Sequence, residues 1–127
     1  TALGYNAQAN GWASFAQGAL ATADGNNSIS IGDSSSTATE AKDSVAIGSG
    51  AKTKAVNAIA IGAGAQATGK QSISVGTGNV VSGDNSGAFG NPTAIRGTGS
   101  YSVGNNNTIA TNDTFVVGNN VTKTLDN

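Results

Sequence analysis

Acid–base chemistry in this sequence would have to run on seven carboxylates, Asp24, Asp33, Glu40, Asp43, Asp84, Asp113 and Asp126, because histidine and cysteine are both absent. A general acid and its partner must sit within roughly 5 to 10 Å of each other. Only Glu40 and Asp43 are close along the chain, and a solvated loop accounts for them. Zinc and thiol chemistry are excluded by composition, and the Asp-bearing nonapeptide of a calcium roll does not occur. Gly48-Ser49-Gly50 and Gly62-Ala63-Gly64 mimic a phosphate loop in pattern alone, since neither leads into Gly-Lys-Ser/Thr or a helix. No catalytic, cofactor or metal residue is assigned, and the chain is read as a non-enzyme.

Charge excludes further classes. Six Lys and Arg are scattered among seven acids, giving a net charge of −1, so no basic excess exists to hold nucleic acid. The apolar runs are too short to cross a bilayer, and no direct membrane contact by this segment is expected. Glycine, with 19 residues, has no collagen period. What remains is an architecture, and one hexad declares it.

Asp43-Ser44-Val45-Ala46-Ile47-Gly48 is rewritten as Asn27 to Gly32, Asn57 to Gly62 and Gln71 to Gly76, with weaker copies at Asn85 to Gly90, Gly99 to Gly104 and Asp113 to Gly118. The closing glycines are Gly4, Gly18, Gly32, Gly48, Gly62, Gly76, Gly90, Gly104 and Gly118, spaced by 14 throughout except for one interval of 16. A fixed period of this kind marks a repeat architecture. With the glycine as position 0, positions −3 and −1 are mostly large and apolar, whereas −4 and −2 are small. Such alternation is a strand signal, and the glycine suits a turn with positive φ. A second, weaker alternation at +3 and +5 is often closed by a glycine at +7 (Gly11, Gly25, Gly69, Gly83 and Gly97).

Each unit therefore predicts two strands of about five residues and two tight turns. That is one coil of a β-solenoid, stacked on the next by parallel pairing about 4.8 Å away, and nine coils make a rod about 40 Å long. Glycine every seven or so residues rules against a helix. The large residues at −3 and −1, including Phe15, Tyr101 and Phe115, are expected to form a thin core against +3 and +5. The small −4/−2 face is expected to lie outside, where another backbone can approach. A core so thin favours self-association along the rod.

One coil, at 33–47, carries two extra residues and should bulge outward, because a stacked core cannot absorb an insertion. Ser36, Glu40 and Lys42 in and beside this bulge, together with Trp12 at a turn, are the candidate ligand contacts. Tryptophan often dominates contact surfaces, although packing, as a cap on the first coils or between protomers, is the favoured account of Trp12. Asn or Asp at −5 reads as a ladder of turn residues.

The hexad at 14-residue spacing resembles the head domain of YadA-like trimeric autotransporter adhesins over essentially the whole chain. Asp43 to Gly48 is close to the family's Asn-Ser-Val-Ala-Ile-Gly, and Asn57 to Gly62 differs from it only by Ala58. The resemblance implies a left-handed parallel β-roll, three of which pack side by side as a homotrimer. It implies a bacterial cell-surface protein held in the outer membrane through a C-terminal region outside this chain, with residues 1–127 as one head-domain fragment lacking stalk and anchor. The implied role is adhesion to host extracellular matrix of collagen type or to host cell receptors. Gln17, Gly87, Asn79 and Asn107 depart from the pattern at expected core positions, and those coils should hold water or side-chain hydrogen bonds.

A passive spacer within the same adhesin is the alternative function. A hexapeptide-repeat acyltransferase would need a period of six and a histidine. An ice-binding solenoid would need a stacked Thr-x-Thr ladder, and Thr37/Thr39 has no successors.

Overall fold

A computed structural model of the chain describes residues 1–125. Asp126, the last of the carboxylates, lies outside the described residues. The described residues form 18 short strands in two nine-stranded parallel sheets, with no helix. The first sheet stacks the hexad strands, such as Ile29–Ile31, Val45–Ile47 and Ile59–Ile61. The second stacks the +4/+5 strands, such as Ser36–Thr37, Lys52–Thr53 and Gln66–Ala67. Strands are two or three residues long, shorter than the five expected, because the turns take the rest of each coil.

Register is strict along the rod: Ile29 pairs with Val45, Val45 with Ile59, and Ile59 with Ile73. Each coil repeats the last, so identical positions form columns about 4.8 Å apart. The motif glycines carry φ between 126 and 155°. They are needed twice over. A Cβ on Gly48 would lie 2.6 Å from both the carbonyl carbon and oxygen of Gly62 in the next coil, so the close stacking of coils excludes any side chain at this corner. The −5 column, with Asn27, Asp43, Asn57, Asn85 and Asp113, is also left-handed, at φ of 51 to 58°, as expected for residues that tolerate that geometry.

The interior corrects the sequence reading. The small −4 and −2 residues face inward: Ser28, Ser30, Ser44, Ala46, Ala58 and Ala60 are fully buried. The large −3 and −1 residues face outward, and Ile61 remains 38% exposed. Phe15 and Tyr101 are half-buried on that outer face, and Phe115 is 71% exposed. None of the three is core. Gln17, expected inside, is exposed on the same face. Gly87 also lies there, and its missing Cβ makes room for the ring of Tyr101, whose Cδ1 and Cε1 would be 2.9 Å from it.

Space explains the inversion. Sheets that interleave large side chains stand about 10 Å apart, and a coil closed by two tight turns does not open that far. The expected inward orientation of +3 and +5 holds, with Ala21, Ala23, Ala65 and Ala67 buried. Toward the C-terminus Val81, Ile95 and Ile109 occupy +5 and pack with Ala88, so one larger residue per coil faces small ones.

Where interior positions are polar, they bond across the coil. Ser28 Oγ and Thr37 Oγ1 are 2.7 Å apart, Ser44 Oγ and Thr53 Oγ1 3.0 Å, and Ser30 Oγ and Ser35 Oγ 2.8 Å. Ser28 and Ser44 also donate to the carbonyls of Gly25 and Ala41 three residues back. Asn107, buried at +3, donates to Ser102 Oγ and Gly118 O and accepts from the Val121 N–H. Asn79, at the same position two coils earlier, donates to Val75 O, but its Oδ1 has no protein partner.

Candidate functional site

The insertion bulges outward as expected. Thr39 and Glu40 are exposed, while Ala41 fills the buried place that glycine takes in other coils. The bulge is tied at its base by Ala41 N–H to Ala38 O and Lys42 N–H to Glu40 O, both 2.9 Å. Stacking therefore resumes undisturbed: Ser36 pairs with Lys52, and Val45 with Ile59, on either side of it.

Three of the four candidate contacts share one corner of the rod. Trp12, Asn26 and Lys42 stand in one column, since Asn27 N–H donates to Trp12 O and Asp43 N–H to Asn26 O. Trp12 and Lys42 are thus two coils, about 10 Å, apart. Trp12 is 75% exposed, with its backbone N–H held by Asn26 Oδ1 at 2.9 Å. Glu40 projects from the same corner. Ser36 lies around it, half-buried on the outer face of the second sheet between Thr22 and Lys52.

That corner continues a regular amide and carboxylate ladder. Asp84 Oδ1 accepts the Lys70 N–H and Asn112 Oδ1 the Thr98 N–H. At the opposite corner Asn91, Asn105 and Asn119 accept from Thr77, Asn91 and Asn105. Each side chain closes the turn one coil below it. The ladder is structural, and it extends past the −5 column singled out in the sequence to positions +1 and −6.

The two outer faces differ in chemistry. Along the second sheet the outward column reads Gln8, Thr22, Ser36, Lys52, Gln66, Val80, Ala94, Thr108 and Thr122, mostly polar as a solvated face should be. Along the first sheet it holds two ranks of Ile, Val, Leu and Phe, which the sequence reading had placed inside. A shallow depression of about 150 Å³ lined by Gly78, Val80, Pro92, Ala94 and Asn106 is smaller than a cavity that encloses an organic substrate. Among the described residues no cluster of three or more carboxylates offers a metal site.

A stack of nine similar coils, with dispersed polar groups and two outer faces of different chemistry, is a β-solenoid repeat protein. The chain belongs to the YadA head domain repeat family, whose model matches residues 1–11, 13–35, 40–65 and 67–91, more than half of its length. This is a family of adhesin heads, not of enzymes. The break in the match at 36–39 falls at the insertion, and the coils beyond 91 continue both sheets in the same register. No curated protein matches the chain.

Proposed function

We propose that this chain is the adhesive head of a trimeric autotransporter, displayed on a bacterial surface, and that three copies associate through the outer face of the first sheet. The carrying observation is the apolar stripe formed by positions −3 and −1. Two ranks of half-exposed Ile, Val and aromatic side chains run along a rod about 40 Å long and about 10 Å wide. A stripe on the order of 400 Å², broken only at Gln17 and Gly87, is the size of the largest apolar patch on a soluble protein, which is often functional. The number three and the left-handed coil come from the family. The family reading also supplies the ligand class, a host matrix protein of collagen type or a host cell receptor, and the outer-membrane attachment.

Within the head, the Thr39–Glu40 bulge with Ser36 and Lys42, and Trp12 in the same column, form the proposed contact. Three copies on one trimer multiply a weak contact by raising effective concentration. The test pairs mass by light scattering with attachment to matrix-coated and cell-coated surfaces. Saturable attachment by a trimer is expected. A well-folded trimer that attaches to nothing assigns the segment a spacer role, and a folded monomer overturns the assembly.

A further inference from the structure

Coiling gathers charge that the sequence disperses. Four of the six cations, Lys42, Lys52, Lys54 and Lys70, come from three successive coils and meet around one corner of the rod. Lys42, Val56 and Lys70 form one column there, because Asn57 N–H donates to Lys42 O and Gln71 N–H to Val56 O, both 2.9 Å. Lys42 and Lys70 are thus about 10 Å apart. Lys52 and Lys54 leave the same side of the intervening coil about 7 Å from each other. Thr53 between them points inward, and Lys52 stands in register with Ser36 and Gln66. All four lysines are exposed.

No carboxylate occurs between Asp43 and Asp84. Glu40 and Asp43 border the patch on one side, with Asp43 Oδ1 accepting the Asn27 amide at 3.1 Å. Asp84 borders it on the other, occupied by the Lys70 N–H at 2.8 Å. The coils at 49–62 and 63–76, with Lys52, Lys54 and Lys70, are therefore purely cationic on a chain whose net charge is −1, while Lys42 at the edge of the patch shares its coil with Asp33, Glu40 and Asp43.

We propose that this lysine corner binds a linear sulfated polysaccharide. Lysines are compact point charges on long stems, suited to monodentate anions spaced along a chain. Their neighbours Gln66, Gln71 and Asn57 offer amides to sugar hydroxyls. Single-stranded nucleic acid would call for several aromatic stacking platforms, and the one exposed ring on this column, Trp12, lies two coils beyond Lys42 and outside the four lysines. A membrane would call for a wide apolar face beside the charges, and Val56 is the one large apolar side chain here. The inference adds a second ligand class to the proposed adhesive role without depending on it. A protein that binds the polysaccharide but no matrix protein keeps this inference and loses that one.

The experiment measures binding of the protein to immobilised heparin, with hyaluronan, duplex DNA and phosphatidylserine vesicles as comparisons. Saturable heparin binding is expected, lost as sodium chloride rises from about 0.1 M to about 1 M and the screening length falls from about 10 to about 3 Å. The K42Q/K52Q/K54Q/K70Q variant, with its exposed substitutions and its fold checked by circular dichroism, should bind at least about tenfold more weakly. An R96Q/K123Q variant, changing the two cations outside the corner, should bind heparin as the parent does. Heparin binding undiminished in the quadruple variant overturns the site. Equal binding to hyaluronan, DNA or vesicles overturns the ligand class.

Discussion

Replacing Ile61 by Ser tests which face of the first sheet is turned toward a partner. Fully burying an isoleucine side chain is worth about 1.5 to 3 kcal/mol. Ile61 is 38% exposed in the single chain, so the fraction left for an interface is worth about 1 kcal/mol. Three protomers bring that to about 3 kcal/mol per trimer, or roughly a hundredfold in the association constant. Because that constant scales with the square of concentration, the trimer–monomer midpoint should rise roughly tenfold, a shift readable by light scattering on a dilution series. The neighbouring Ala60 supplies the control. It is fully buried against Ala58, Ala65 and Ala67, so Ala60→Leu overpacks the coil and should cost about 3 kcal/mol or more in the folded chain itself. A midpoint that stays put for Ile61→Ser, with Ala60→Leu well tolerated, would refute the outward placement of the large residues and the interface built on it.

Other substitutions probe the stacking itself. Gly48→Ala forces a Cβ against the Gly62 carbonyl at positive φ and should destabilise the chain by at least about 2 kcal/mol in thermal or denaturant unfolding. Ser28→Ala strands Thr37 Oγ1 and the Gly25 carbonyl, costing about 1 to 3 kcal/mol. Adding Thr37→Ala should recover part of that loss, since Ala58 and Ala67 already fill the equivalent places two coils on. Asn107→Ala removes three hydrogen bonds and Asn79→Ala one, so chemical denaturation should find the former costlier by about 1 kcal/mol or more. Deleting Thr39 and Glu40 restores a 14-residue coil and should leave the melting temperature unchanged or slightly higher. It should also abolish matrix attachment, and undiminished attachment would remove the bulge from the proposed contact.

Much of the molecule is legible in its periodicity. Nine glycines in register locate one corner of every coil, the paired alternations locate two strands, and the single interval of 16 locates the bulge in the coil at 33–47, which the structure narrows to Thr39 and Glu40. These features are local, because a turn needing positive φ selects glycine or asparagine whatever lies around it. The Asn79 and Asn107 departures were also identifiable as interior polar groups, and Asn107 is satisfied within the protein as expected.

Alternation divides a strand into two faces without saying which one is inside. Composition would put Ile29, Val45 and Ile59 within and Ser28, Ser44 and Ala58 without, and the closed coil reverses that. Two turns in 14 residues hold the sheets too close for a pair of large side chains, so alanine and serine become the core and the hydrophobic residues become surface. The same closure sets Lys42 and Lys70, 28 residues apart, two coils from each other on one column, and Trp12 on that column as well. These residues become neighbours only once the coils stack, because proximity here depends on the number of coils between residues. Columns are a property of the stack.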